Sequence, residues 1–182
     1  MIADAAITTI AREGLRGFTH RAVDRAASLA EGSTSYYFRT REALMFAALA
    51  RMAELDALDI GEPLERGGEV DMDALTSLVT ALVWRWLTDS RERTLARYEL
   101  TLESTRRPAL RMRLMTHGAA FRVMAEQTIA AAGASEPKRR AGTLVAHLDG
   151  LLLHQLTRVA PTELDRREIS AACRDLLTMA LA

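Results

Sequence analysis

The chain has 182 residues, 49% of them hydrophobic and 26% charged, which suits one large folded domain or two small ones and is not the composition of a disordered protein. Basic and acidic residues balance at 24 each, so overall charge points to no particular partner, and a single cysteine, Cys173, excludes an internal disulfide. No apolar run is long enough to span a bilayer (Leu78 to Leu87 comes nearest and is interrupted by Arg85), no secretion leader is visible, and the chain reads as cytoplasmic.

Helix-forming residues dominate and no period-two strand is visible, so an all-α fold of about nine helices is expected. Ile2 to Glu13 is amphipathic through Ala3, Ile7 and Ile10, and Gly14 ends it where a left-handed cap favours glycine. Thr19 is an N-cap for a short helix over His20 to Ala27, with Val23 facing inward. Ser28 and Leu29 make a tight connection to a third helix, Glu31 to Tyr37. Thr40 caps a fourth that runs to about Leu58 and buries Leu44, Ala47, Ala48, Leu55 and Leu58. The segment "DIGEPLERGGEVD", Asp59 to Asp71, holds three glycines and a proline and reads as a seam. Longer helices follow at Met72 to Thr88, Arg91 to Thr105, Pro108 to Ala132, Pro137 to Arg158 and Thr162 to Leu181. Pro108, Pro137 and Pro161 stand at first-turn positions. The expected organisation is a helical head, residues 1–58, and a larger helical body, residues 59–182.

Two short helices joined by a tight turn describe a helix-turn-helix. Between Ala11 and Arg41 six arginines stand against three acids, a local excess that favours a polyanion. An outward face of Ser33, Thr34 and Ser35 suits a DNA groove, and Gly32 would let the backbone approach closely. The hydroxyls of Tyr36 and Tyr37 can reach phosphate oxygens. Arg41 can add a charged phosphate contact, and Arg21 can fork onto a guanine edge.

Residues Ile2 to Leu49 resemble the DNA-binding head of TetR/AcrR-type transcriptional regulators. The resemblance runs through "DAAITTIAREGLRGFTHRAVDRAA", "EGSTSYYF" and "RTREAL". The body resembles that family in helix number and length, and "RYELTLEST" is similar to one subgroup. The resemblance implies that Arg21, Glu31, Ser33 and Ser35 face bases and that Thr19, Tyr36, Tyr37 and Arg41 face phosphates. Three departures stand out. Ser28 replaces the turn glycine, Ala30 replaces the serine cap of the recognition helix, and Glu31 stands where lysine or glutamine is usual. Family members usually carry a basic arm before helix 1, whereas this sequence starts inside it, so weaker sequence-independent DNA affinity is expected.

In the body, Leu110, Leu114, His117, Phe121, Met124 and Thr128 form one stripe, which reads either as core or as a pocket wall. Trp84, Trp86, Tyr98, Met112 and Met115 bring adaptable bulk to the same helices. His147 and Leu151 complete the candidate ligand set. A metal is not expected, because His147 and His154 are two turns apart with only Asp149 between them. Glu99 and Glu103 form an acid pair one turn apart with no nucleophile or base to match, so no enzyme and no cofactor are expected. Leu148, Leu152 and Leu156, with Ile169, Cys173, Leu176 and Leu177, read as a seam between two copies in a four-helix bundle. The function expected is a homodimeric, effector-responsive repressor on a palindromic double-stranded DNA operator, with no membrane partner. The alternative is a helical small-molecule-binding protein without operator binding, which salt-dependent DNA binding would exclude.

Overall fold

The computed structural model describes residues 1–64, 71–158 and 164–182, and these form ten α-helices with no strand among the described residues. The chain divides into two compact units: Met1–Ala57 with Glu92–Gly118, and Leu58–Arg91 with Ala119–Ala182.

In the first unit α1 (Ile2–Gly17) buries Ala5, Ala6, Ile7, Thr9 and Ile10. Gly14, at φ 64°, breaks its helical geometry, and Leu15 to Gly17 then continue as a further turn rather than a loop. That backbone is costly for any residue with a Cβ. The cap at Thr19 forms as expected, its hydroxyl oxygen accepting from the Ala22 amide at 3.1 Å to open α2 (His20–Ala26). The third helix is shorter than expected: α3 is Ser33–Tyr37. Thr40 accepts from the Ala43 amide at 3.0 Å and opens α4 (Arg41–Leu64). With α6 (Arg91–Ser104) and α7 (Pro108–His117), these helices enclose Ile10, Phe18, Val23, Leu44, Met45, Met52, Leu100 and Leu110. Burying each such side chain contributes roughly 1.5–3 kcal/mol. Phe18, fully buried, is the largest of them.

The second unit contains the end of α4, α5 (Met72–Leu87), α8 (Ala119–Ala131), α9 (Pro137–Leu156) and α10 (Arg166–Leu181). Asp71 caps α5, accepting from Ala74 at 2.6 Å. Asp165 and Glu168 form a reciprocal capping box at the start of α10. Helix α10 packs on α5 and α9, and α9 on α8 and α5.

Four expectations change. The fourth helix continues past Leu58 to Leu64, because Asp59 is anchored by Arg85 (3.1 Å) and the Trp86 indole (3.1 Å), and these contacts override the weak helix preference of Gly61 and Pro63. The remainder of the expected seam, 65–70, lies outside the described residues, as do Pro161 and Thr162. The single helix from Pro108 to Ala132 is two helices, parted at Gly118, whose amide closes α7 onto Leu114. The supposed stripe is thereby divided: Leu110, Leu114 and His117 belong to the first unit, Phe121, Met124 and Thr128 to the second. Finally, Leu148, Leu152, Leu156, Ile169, Cys173 and Leu177 are already buried within one chain, and Leu176 is half-buried. Helices α5, α9 and α10 cover one another's apolar faces, so the six buried residues are core and not a surface for a second copy.

Ser28 stands in the left-handed region at φ 54°, with its side chain exposed and its amide donating to Arg25 at 3.1 Å. Relief of that strain by Ser28→Gly should stabilise the chain by about 0.5–1 kcal/mol in a denaturant titration. An unchanged or lower midpoint would show that the backbone is not strained there.

Candidate functional site

The turn between α2 and α3 is organised by a buried carboxylate. Asp24 is 2% exposed and sits near the end of α2. One oxygen accepts from the Gly32 amide (2.8 Å); the other accepts from the Thr34 amide (2.7 Å) and the Thr34 hydroxyl (2.5 Å). Three donors at the start of α3 are thus held by one side chain from α2. This supplies the cap that Ala30 cannot. Gly32 is required by its φ of 94°, since a Cβ there would meet open space. Burial pushes the Asp24 carboxyl up, but the bonds from Thr34 and Gly32 and the nearby His20 outweigh it and hold it below the usual carboxylate range. His20 Nε2 donates to the Phe38 carbonyl at 2.7 Å, tying the far end of α3 to the start of α2.

The clamp leaves one side of α3 in solvent. Tyr36 and Tyr37 are 74% and 67% exposed, their rings edge-to-face at 5.2 Å. Ser35, Thr19, Gly32, Arg21 and Glu31 are exposed beside them, and Ser33 is half-buried with its hydroxyl donating to the Ala30 carbonyl at 2.7 Å. Thr34 is the exception: it is fully buried on Asp24 and does not belong to the outward face. Arg21 and Glu31 form an ion pair at 2.6 Å with both side chains largely exposed. A pair so exposed contributes little to stability, but it holds the Arg21 fork beside α3. Arg41 is engaged differently. Its guanidinium donates to the Phe18 carbonyl (2.8 Å) and to the Leu15 carbonyl and lies 5.6 Å from the Phe18 ring, so it caps the end of α1.

A cavity of about 60 Å³ lies inside the second unit. Leu75, Leu78, Val79, Leu82, Val83 and Trp86 of α5 form one wall. Phe121, Met124, Ala125, Thr128 and Ile129 of α8 form another, and Leu144, Val145, Leu148 and Leu177 close it. Trp86 and Phe121 meet at 5.9 Å, tilted by 63°. Of the candidate ligand residues, Phe121 and Met124 line this space. Trp84, Tyr98, Met112, Met115, His117, His147 and Leu151 do not. Met112 and Met115 are instead 64% and 54% exposed, and Tyr98 and His117 belong to the first unit. On α5 the inward ring is Trp86, whose position in the sequence pattern two residues from Trp84 gave no separate signal.

The other candidates have structural partners. Glu103 is paired with Arg107 (2.5 Å) and Arg106 (2.7 Å), whose bonds hold its carboxyl below the usual range. His154 Nε2 accepts from Arg158 at 2.9 Å. Among the described residues no group of three or more potential metal ligands assembles, and no helix is long and apolar enough to cross a membrane.

Residues 70–179 match the family described as tetracyclin repressor-like, C-terminal domain. Among solved structures, a transcriptional regulator from Rhodococcus sp. Rha1 aligns at a TM-score of 0.82 and 22% identity, over 99% of this chain and 94% of that one. A TetR-family member from Streptomyces coelicolor A3 aligns at 0.73 and 31% identity, over 100% and 96%. The multidrug binding protein EbrR, in complex with imidazole, aligns at 0.70 and 32% identity, over 100% and 93%. EbrR has also been solved with ethidium and with proflavin. Comparison with curated proteins gave no match.

Asp24→Asn keeps the shape but offers one acceptor where the carboxylate offers two, leaving a buried donor unsatisfied. The expected loss is about 1–3 kcal/mol at neutral pH. Because the folded-state pKa is depressed, this contribution is present above the ordinary carboxylate range and lost as pH falls through the folded value. Denaturation at pH 7 and pH 3 should therefore show the gap between wild type and variant narrowing in acid. A gap independent of pH would refute the ionised clamp.

Proposed function

The chain belongs to the TetR family of transcriptional regulators, and from that premise we propose that it is an effector-responsive repressor that binds a palindromic operator as a homodimer. The observation that carries the reading is the Asp24 clamp, which presents Tyr36, Tyr37, Ser33 and Ser35 on one rigid face beside Arg21. Residues 1–58 act as the DNA-binding domain and 59–182 as the ligand-binding and dimerisation domain. A helix of this kind enters a major groove, with two heads about 34–36 Å apart meeting successive turns of the duplex. Thr19, Tyr36, Tyr37 and Arg41 position the backbone; Arg21, Glu31, Ser33 and Ser35 read bases. The effector acts only through differential affinity, binding more tightly to the state that fits the operator badly.

The pairing of Arg21 with Glu31 gives the acid a specific part. In free protein it neutralises and orients the guanidinium; on DNA, Arg21 forks onto a guanine while Glu31 accepts from a cytosine amino group. Arg21→Ala should relax preference at one base pair of each half-site, at a cost of ~1–3 kcal/mol. Tyr37→Phe, by contrast, should weaken operator and random duplexes alike, because a phosphate contact carries no sequence information. Arg41→Ala is a poorer test, since it also uncaps α1. Selection of bound DNA followed by salt titration separates the two behaviours, and unchanged base preference in Arg21→Ala removes its assignment.

For the homodimer, the outward faces of α9 and α10 replace the buried residues first considered. Gly142, Ala146, Gly150 and Leu153 are exposed along α9, and Ala171 and Met179 along α10. Small residues would let two helices approach closely around Leu153, which is 46% exposed in one chain. Ala146→Glu and Leu153→Glu should yield folded monomers, because both positions already face solvent. Sedimentation that finds dimers for both variants would exclude this face.

A further inference from the structure

We propose that the cavity of the second unit takes an uncharged, apolar ligand and discriminates against organic cations. The inference rests on reading that cavity as the effector site and names the chemistry it accepts. Its described walls are hydrocarbon, indole and phenyl, with Thr128 as the one hydroxyl-bearing side chain among the described residues, and the Thr128 hydroxyl already donates to the Met124 carbonyl at 2.9 Å. Among the described residues no carboxylate stands in the lining. The acid bonded to it from outside, Asp59, accepts from Trp86 Nε1 and is ion-paired with Arg85, so its charge is matched within the protein. A cation drawn fully into this space would shed its water and meet no counter-charge among the described residues of its wall. The two rings offer little compensation: they stand edge to face against each other rather than parallel around a gap. An uncharged hydrocarbon surface meets no such penalty and gains by leaving water.

Size narrows the class further. At about 60 Å³ the cavity is well below the ~150 Å³ that admits benzene in an engineered protein core. A rigid polycyclic ring system therefore does not fit without displacing the walls. An alkyl chain, or one ring with an alkyl arm, also needs the wall to move. Being flexible, it can thread the space opened by rotamer changes of Met124, whose unbranched side chain adapts at little cost, whereas a rigid polycycle needs several walls to move at once. This chemistry differs from that of the polycyclic dyes seen with EbrR, and the difference follows from this chain's own wall.

The test uses two probes of equal length, pentylbenzene and 4-phenylbutylammonium, in which a terminal methyl replaces an ammonium. Trp86 forms part of the wall, so tryptophan fluorescence of the full chain reports binding, with melting temperature as a second readout. Pentylbenzene should bind saturably and raise the melting temperature, and the ammonium should bind on the order of 100-fold more weakly. Ala125→Phe fills the space from a half-buried position, and Val145→Phe does so from α9; in whichever variant retains its helical signal, pentylbenzene binding should be lost. Equal or tighter binding of the ammonium, binding that survives filling, or no binding of either probe would overturn the proposal. Mobility shift on selected duplexes without any probe tests the regulator reading separately. Loss of DNA binding beside intact probe selectivity would remove the repressor and leave the cavity chemistry standing.

Discussion

The exposed face of α3 depends on one carboxylate. A five-residue helix has no stability of its own, since nucleation costs more than so few hydrogen bonds return. Asp24 changes that balance by holding the Gly32 amide, the Thr34 amide and the Thr34 hydroxyl from a neighbouring helix. His20 holds the opposite end through Phe38, and the ordered turn places Ser28 and Gly32 at positive φ. Tyr36 and Tyr37 can then remain in water without unravelling the element that carries them. The arrangement is local and polar, and its strength comes from burial of fully satisfied donors rather than from apolar area.

Charge on the same face is arranged with restraint. Arg21 is oriented by Glu31, while Arg41 is turned back onto the carbonyls at the end of α1. Both side chains are arginines in a basic segment, yet one is held beside α3 and the other is tied to the end of α1. The distinction comes from what lies within reach of each guanidinium: a carboxylate across the turn for Arg21, two unpaired helix-end carbonyls and the Phe18 ring for Arg41.

In the second unit the physics is the reverse, with apolar burial dominant and few polar constraints. The faces of α9 and α10 that look too extensive for one chain are enclosed by α5 and by each other. What remains for an outside partner is a row of small residues and Leu153, and what remains inside is a space with almost no polar lining. Such a space has little means of recognising charge and much means of recognising shape and hydrophobicity.

The sequence by itself determined the helical class, the caps at Thr19 and Thr40, and the helix-turn-helix pattern, together with the exposure of Tyr36 and Tyr37. Those features are set by neighbours within a few residues, through periodicity, capping chemistry and the φ demand of Gly14. Tertiary structure alone decided that Thr34 points inward and that Asp24, an acid in an ordinary helical position, is the organising group. It also decided that α4 runs on to Leu64, that the long helix breaks at Gly118, and that Trp86 rather than Trp84 meets the cavity. The leucines of α9 moved from an expected seam to the core for the same reason. Hydrophobic periodicity says that a face must be covered and is silent about which helix covers it, because that choice is made by contacts between residues far apart in the chain.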